Sequence, residues 1–391
     1  MAYCRICGKQ DCKEHVFQFQ ARKIDSFSGS SPPEIFIGKY NYPNVNIGVL
    51  SPEEKGDTSF LSSQELWHEK KLTISEILDL RKKLIFGKTK SNVKKVLEKT
   101  KFTSAMQEIA MSSKSLAAEF KLNKPIEKNK ENDSHIPLIS NTAYVKSITL
   151  EENPKIDRKV DYLVNDIDSK SQNSIIELEK NNISTSTIIK ILSAGLLGLK
   201  SNRKLIPTRW SITAVDDILS KNKLKKIKLN QEISSIQLFN AYYLGNHYEF
   251  LLLPDKFSFE VIEINSFFPD ISWHDYESFF PRKNYAINVT GAYYANRLAL
   301  CEYLEKIQRQ ASCLVIREIN PNIYTQSMGV GILRQLSREA FSKAPETFST
   351  LNEALTRIQS RLNIHISIFT SKSKIIQDYG KQKRLDSWFR Y

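Results

Sequence analysis

The chain has 391 residues, of which 41% are hydrophobic and 10% aromatic, enough apolar material for two packed domains and too much for a disordered protein. A formal net charge of +14 at pH 7 favours a polyanionic partner, nucleic acid first, over a surface whose lysines only solvate the fold. No run of eighteen apolar residues occurs, and Cys4 and Arg5 stand where a signal peptide needs an apolar core, so a soluble, cytoplasmic protein with no membrane partner is expected.

The five cysteines do not form a disulfide pattern: three crowd the first dozen residues, while Cys301 and Cys313 sit among apolar neighbours as core candidates. Cys4, Cys7, Cys12 and His15 make C-x2-C-x4-C-x2-H. Three thiolates and an imidazole suit a closed tetrahedral zinc site, and so short a segment needs metal binding to supply its folding energy. The alternative is an N-terminus without metal. Arg5, Lys9 and Lys13 would place positive charge around such a module for phosphate.

Residues 34–38 suggest a strand ended by Gly38. If residues 39–47 are extended, alternation puts Tyr40, Tyr42, Asn44 and Asn46 on one face and Asn41, Pro43, Val45 and Ile47 on the other. Rings that stack and amides that read polar edges make the first face a candidate ligand wall; a loop with tyrosines packed on the core is the other reading. Apolar residues at three- and four-residue spacing predict helices over 72–86 and 93–120, broken near Gly87. Residues 121–135 are polar and charged, an exposed loop or insertion. A strand over 143–150 and an apolar helix over 184–197, punctuated by Gly195 and Gly198, follow.

The densest polar cluster is IPTRWSITAVDDIL at 206–219. Thr213 with Asp216 resembles a capping box, so a helix is expected to begin there with its amides turned toward Arg209, Trp210 and Ser211, a ready anion site. Asp216 and Asp217 would repel phosphate unless a magnesium ion lay between; otherwise they only complement the helix dipole. Strands are expected at 233–245, 247–254 and 257–264, with a Gly245-Asn246 turn and at least three antiparallel partners, then an aromatic loop over 267–282. A helix over 291–311 carries Tyr293 and Arg297 on one face. A strand over 313–316 delivers Arg317 and Glu318, and a helix over 332–341 carries Arg334. These arginines either line a cleft or form ion-pair scaffolding.

At the end of the sequence Gln382, Leu385, Trp388 and Phe389 form Q-x-x-L-x-x-W-F among Lys381, Lys383, Arg384 and Arg390. One helical turn would gather Leu385, Trp388 and Phe389 into an apolar plug, and the spacing matches the short peptide that docks on the PCNA sliding clamp. A segment folded back on its own domain is the alternative.

The Cys4 to His15 cluster, IFIGKYNYPNVNIGVL at 35–50, PTRWSITAVDD at 207–217, GAYYANRLALCEYL at 291–304, LVIREI at 314–319 and QKRLDSWF at 382–389 together resemble the archaeal NreA (Nre) family of DNA repair proteins. The match is weakest at 121–135 and 157–182, which reads them as peripheral. The resemblance implies an archaeal protein linked to DNA damage repair and a PCNA client through its terminal motif; it implies no catalytic mechanism.

The expected fold is α+β, mixed helices with an antiparallel sheet, plus a small N-terminal zinc module and a C-terminal peptide tail. The domains would be 1–20, zinc-binding; 21–200, a mostly helical α/β region; 201–375, α+β; and 376–391, the tail with its clamp-binding (PIP-like) motif. No Walker loop, Rossmann fingerprint or nucleophile elbow occurs. Three functions stay open: a repair factor brought to PCNA that binds DNA or a nucleotide in a central polar cleft; a metal-dependent enzyme acting on a nucleotide or modified nucleic-acid end; and a non-enzymatic adaptor. The cleft would draw on Tyr40, Asn44, Asn46, Arg209, Trp210, Ser211, Asp216, Asp217, Arg297, Arg317 and Glu318.

Overall fold

The computed structural model describes residues 24–98, 100–129, 133–139 and 141–381. The Cys4, Cys7, Cys12 and His15 cluster and the Gln382, Leu385, Trp388 and Phe389 motif lie outside the described residues. Those residues fall into two compact units, one reaching Leu219 and including Gln326–Ile332, the other made of Ser220–Thr325 and the chain from Leu333 onward. No helix among them is long and apolar enough to cross a membrane.

The first unit is built on a seven-stranded sheet, where a mostly helical region was expected. Its order is Ser26–Ser31, Leu116–Leu122, Asn141–Leu150, Ile85–Asn92, Asn44–Ser51 and Ile35–Ile37, with the short Glu127–Lys128 beside Asn141–Leu150. Ile85–Asn92 and Asn141–Leu150 run parallel; the other neighbours are antiparallel. The helix expected over 72–86 stops at Lys82, and the one expected over 93–120 shrinks to Lys101–Met111. Between and after them lie Ile85–Asn92 and Leu116–Leu122, both strands.

The reason is non-local. A Cβ on Gly87 would come 3.0 Å from a Val145 methyl and 3.3 Å from the Phe120 ring, so side chains from neighbouring strands occupy the space the glycine leaves. LAAEFKL at 116–122 is made largely of good helix formers, yet Leu116, Ala118 and Phe120 alternate into the core and Phe120 stacks on Phe27 at 4.6 Å. Pairing with Ser26–Ser31 overrides local propensity there.

Residues 157–182, expected to be peripheral and poorly patterned, form two helices, Arg158–Asn165 and Ser171–Lys180, with Val160, Leu163, Ile175 and Leu178 buried. The helix expected over 184–197 is Thr185–Ser193; Ser184 caps it by accepting from the Thr187 amide, and Gly195 and Gly198 follow at positive φ.

The second unit carries a six-stranded sheet in the order Phe268–Glu277, Ser258–Asn265, Ser312–Ile319, Asn246–Leu253, Ile236–Tyr243 and Glu346–Phe348. The hairpin at Gly245 is present, with Leu244 and Gly245 both at positive φ. The third expected strand does not join it. Ser312–Ile319 inserts between, antiparallel to Asn246–Leu253 and parallel to Ser258–Asn265. Cys313, Leu314, Val315 and Ile316 are all buried, as a strand covered on both faces requires.

The aromatic stretch expected to be a loop over 267–282 contains the strand Phe268–Glu277 at the sheet's edge. Helix Gly291–Ile307 is buried along most of its length, and Cys301 and Cys313 are buried free thiols. The expectation of an α+β fold thus holds in outline, with two sheets rather than one and a parallel pair in each.

Candidate nucleic-acid interface

In the first unit, helix Thr208–Ile227 begins five residues before the capping box expected at Thr213. Pro207 supplies the opening carbonyl, which accepts from the Ser211 amide at 3.1 Å, and a proline ahead of the first turn suits a helix start. Thr213 lies inside the helix, its hydroxyl turned back to the Arg209 carbonyl at 3.4 Å. Arg209 and Trp210 are therefore first-turn residues rather than a loop facing one. Ser211, Asp216 and Asp217 are buried in the helix body, which removes the picture of two carboxylates presented at its N-terminus.

The helix start is fixed to the sheet. Thr208 Oγ1 accepts from the Ile37 amide at 2.9 Å and lies 3.3 Å from Ser193 Oγ. That attachment sets Trp210 beside the turn following Ile35–Ile37. Of the two readings of residues 39–47, extended or loop, the first part follows the loop: the chain reverses, with Asn41 at φ 60°, a cis Tyr42–Pro43 bond and an Asn44 amide donating to the Asn41 carbonyl at 2.8 Å. Regular alternation begins only at Asn44, from which Val45 and Ile47 point into the core. Asn44 accepts from Asn92 of the neighbouring strand at 2.8 Å, and Asn46 is half-buried.

Reversal puts the rings outside. Tyr40, Tyr42 and Trp210 are 48%, 44% and 45% exposed, and the Tyr42 and Trp210 rings stand 5.1 Å apart with a 53° tilt. Two cations flank them. Lys39 lies 5.3 Å from the Tyr40 ring centroid and 3.2 Å from Asp133, while Arg209 reaches the same carboxylate at 3.1 Å.

Asp133 belongs to the 121–135 segment, whose composition pointed to an exposed, peripheral loop. Its side chain is only 6% exposed. Burial pushes its carboxyl up, but hydrogen bonds from His135, with the charges of Arg209 and His135, outweigh this and hold it well below the usual carboxylate range. The carboxylate thus stays ionised and keeps Lys39 and Arg209 on one surface.

A distant segment braces this loop. Within Gln326–Ile332, Ser327 Oγ donates to the Ser134 carbonyl at 2.7 Å and the Val330 amide to the His135 carbonyl at 3.0 Å. Gln64 donates to the Met328 carbonyl at 2.6 Å. Gly329 sits at φ 84°, and a Cβ there would lie 3.0 Å from the Ile136 carbonyl carbon, so a side chain would be both strained and crowded. Sequence reasoning passed over Lys39, Asp133, His135 and Gly329; Asp133 is one of three acids in the 121–135 stretch, with Glu127 and Glu131, and nothing local set it apart. The first unit also holds a separate cavity of about 380 Å³, lined by Gln107, Glu108, Val164, Leu196 and Arg203 among others, none of them from the expected cleft.

The remaining expected residues belong to the second unit and are held by partners inside it. Arg297 bonds Glu277 at 2.9 Å and Ser220 at 3.1 Å, with the Tyr294 ring 5.1 Å from its guanidinium. Arg317 bonds Glu263 at 2.8 Å and Asn246 at 3.1 Å. Burial alone would lower the Arg317 pKa; Glu263 more than reverses that and the guanidinium stays charged. Glu318 accepts from the Asn363 amide and side chain at 2.9 and 2.8 Å, and Arg334 is buried. This is the scaffolding alternative for the arginines. Among the described residues no three of His, Cys, Asp and Glu gather as a metal site.

Residues 1–274 match the model described as archaeal Nre, N-terminal, and residues 277–388 the one described as archaeal Nre, C-terminal. DNA repair protein NreA of Archaeoglobus fulgidus is 36% identical over 366 residues, covering 91% of both chains. DNA repair protein NreB of the same organism is 32% identical over 366 residues, covering 91% of this chain and 90% of the relative. DNA repair protein NreA of Haloferax volcanii is 29% identical over 380 residues, covering 92% and 90%. No solved structure matches the chain.

Proposed function

The chain belongs to the archaeal Nre family, and from that premise we propose that it is a DNA repair protein whose first unit holds exposed bases on the Tyr40, Tyr42 and Trp210 rings. The observation that carries this reading is the pairing of exposed rings with two cations on one surface. Isolated surface aromatics are common; rings set beside Lys39 and Arg209 combine base stacking with phosphate attraction. Stacking is worth roughly 1–3 kcal/mol per base and tolerates any base sequence. The names of the curated relatives support the repair role.

Two further parts belong to the same proposal. Cys4, Cys7, Cys12 and His15 would hold one structural zinc, a closed donor set that leaves no position for catalysis. Gln382, Leu385, Trp388 and Phe389 would dock on the PCNA sliding clamp, a weak contact that raises the local concentration of the body near DNA. Catalysis stays outside the proposal: the buried setting of Asp216 and Asp217 favours binding over a metal-dependent reaction on a nucleotide at the helix start.

The test is binding of a single-stranded oligonucleotide to the full chain at low salt, with Trp210→Ala and Tyr42→Ala beside it. Each variant should weaken binding about 5- to 150-fold, the equivalent of 1–3 kcal/mol, with unfolding unchanged. Equal affinity in wild type and both variants would move nucleic acid away from this surface. Metal analysis should find one zinc per chain, lost in Cys4→Ser/Cys7→Ser, and Trp388→Ala/Phe389→Ala should abolish clamp binding.

A further inference from the structure

In the second unit, strand Phe268–Glu277 leads to helix Gly291–Ile307 through residues 278–290, SFFPRKNYAINVT. Connections this long without secondary structure are uncommon in a compact domain and are commonly functional. This one is braced along its length. Asp275, buried on the strand, accepts from Arg282 Nη2 at 3.0 Å and from the Asn288 and Val289 amides at 3.0 and 2.8 Å. Arg282 also donates to the Tyr276 carbonyl at 2.9 Å, and the Asn288 side chain to the His274 carbonyl at 2.9 Å. The Ala286 amide donates to the Tyr294 hydroxyl at 2.8 Å, which ties the loop to the helix that follows.

That bracing holds apolar side chains outward. Phe280 and Ile287 are 76% and 78% exposed, and Tyr285 is exposed beside them in sequence. Large apolar side chains fixed in solvent on a braced backbone mark a contact surface. The neighbouring charge indicates what it contacts. Lys221, Lys223, Lys225, Lys226 and Lys228 fall within eight residues at the end of helix Thr208–Ile227. Lys228 donates to the Phe279 carbonyl and lies 4.9 Å from the Phe279 ring centroid, and that ring is 5.9 Å from the Phe280 ring. The lysine run therefore abuts the loop.

The helix dipole accounts for lysines in the last turn, but the run begins before it. Glu305 holds Lys223 at 2.8 Å and stands 4.0 Å from Lys226, whose side chain remains 81% exposed. Lys225 and Lys283 are exposed and have no ion-pair partner among the described residues. Such a surplus attracts a polyanion. Stacking on a single strand needs flat rings, whereas a phenyl group and a branched aliphatic side chain suit a different task. Apolar wedges of these types part a base step of a duplex while cations hold its phosphates.

We infer that residues 278–290 form a wedge for double-stranded DNA, with Phe280 and Ile287 entering a base step and Lys225, Lys226 and Lys283 holding the phosphates beside it. The wedge does not rest on the rings of the first unit: those take unpaired bases, and this surface takes paired ones.

Fluorescence of a duplex bound to the full chain tests it. The duplex, of about 20 base pairs, carries end labels to read bending and 2-aminopurine at central pyrimidine–purine steps, which kink most readily. Wild type should bend it by roughly 20–90° and raise the 2-aminopurine emission as a step unstacks. Phe280→Ala/Ile287→Ala should bind with the same salt slope, leave the duplex straight and leave the emission at its free value. Lys225→Gln/Lys226→Gln should reduce the salt slope of duplex binding by about 2. All four positions are exposed, so unfolding midpoints should match wild type. Equal bending and emission in wild type and Phe280→Ala/Ile287→Ala overturns the inference, and so does a salt slope that is the same with and without the two lysines. A duplex that stays straight in wild type overturns it as well and leaves the apolar pair to a protein partner. Tyr42→Ala/Trp210→Ala should bend the duplex as wild type does; unchanged single-strand binding in that variant, with bending intact, would remove the first-unit reading and uphold the wedge.

Discussion

Arg209 in the first unit and Arg317 in the other unit have similar sequence surroundings, each an arginine close to apolar residues with an aromatic or acid next to it. Their settings differ in kind. Arg317 is buried, shares hydrogen bonds with Glu263 and Asn246, and has the rings of Tyr248 and Tyr324 within 5.7 Å of its guanidinium carbon. Arg209 keeps 28% of its side chain in solvent, held by one carboxylate beside an exposed indole. A buried charge with several fixed partners is framework, since its ionic form depends on those partners. A half-exposed charge with one partner can exchange that partner for a phosphate. The comparison separates what holds this protein together from what it offers to others.

The largest expected effect breaks the framework side. Glu263→Ala leaves the Arg317 charge buried with Asn246 and two tyrosine rings but without its carboxylate, and denaturant unfolding should show a loss of about 3–5 kcal/mol, while nucleic-acid affinity per folded molecule stays as in wild type. A loss below about 1 kcal/mol would place Arg317 with the surface ion pairs instead. Next in size is Trp210→Ala with Tyr42→Ala, on the recruiting side: binding should weaken by about 1–3 kcal/mol per lost stacking partner, with thermal stability moved by less than about 0.5 kcal/mol.

How much of this contrast the sequence carried depends on whether the deciding contact was local. The hairpin at Gly245, the apolar helix beginning near Ser184 and the helix carrying Arg297 were legible, because turn chemistry and 3.6-residue spacing lie within a few residues of one another. Arg209 and Trp210 stand near a helix start, as expected, although that start was misplaced by five residues. What could not be read was assembly. Ile85–Asn92 and Leu116–Leu122 carry helix-compatible residues and become strands only through partners far along the chain. Asp133 sits in a segment whose composition signals solvent, and it is buried because Ser327 and Val330, remote in sequence, hold Ser134 and His135. The arginines grouped as one cleft prove to belong to two units, a partition that no single stretch of sequence encodes.

Asp133 sharpens the comparison further. Its folded-state pKa lies below that of an unfolded carboxyl, so its stabilising contribution is complete at neutral pH and is lost as pH falls below the usual carboxylate range. Stability measured between pH 7 and about pH 3 should therefore fall less steeply in Asp133→Asn than in wild type; identical slopes would mean the carboxylate is not held by Arg209 and His135 in solution. The same variant should release Lys39 and Arg209 toward phosphate and steepen the salt dependence of binding. The smallest effect is expected at Asn44→Ala. Its amide already pairs with Asn92 on an exposed strand face, so affinity and stability should each shift by less than about 0.5 kcal/mol.

The most direct test of the central claim is a salt titration of single-stranded DNA binding by wild type and Tyr42→Ala/Trp210→Ala. The proposed surface predicts that log affinity falls linearly with log salt for both proteins with the same slope, since Lys39 and Arg209 remain, and that the variant's line lies lower by a constant offset equivalent to about 2–6 kcal/mol for two stacking partners. Coincident lines would contradict it, since the cations would then bind the backbone without any base held on the exposed rings.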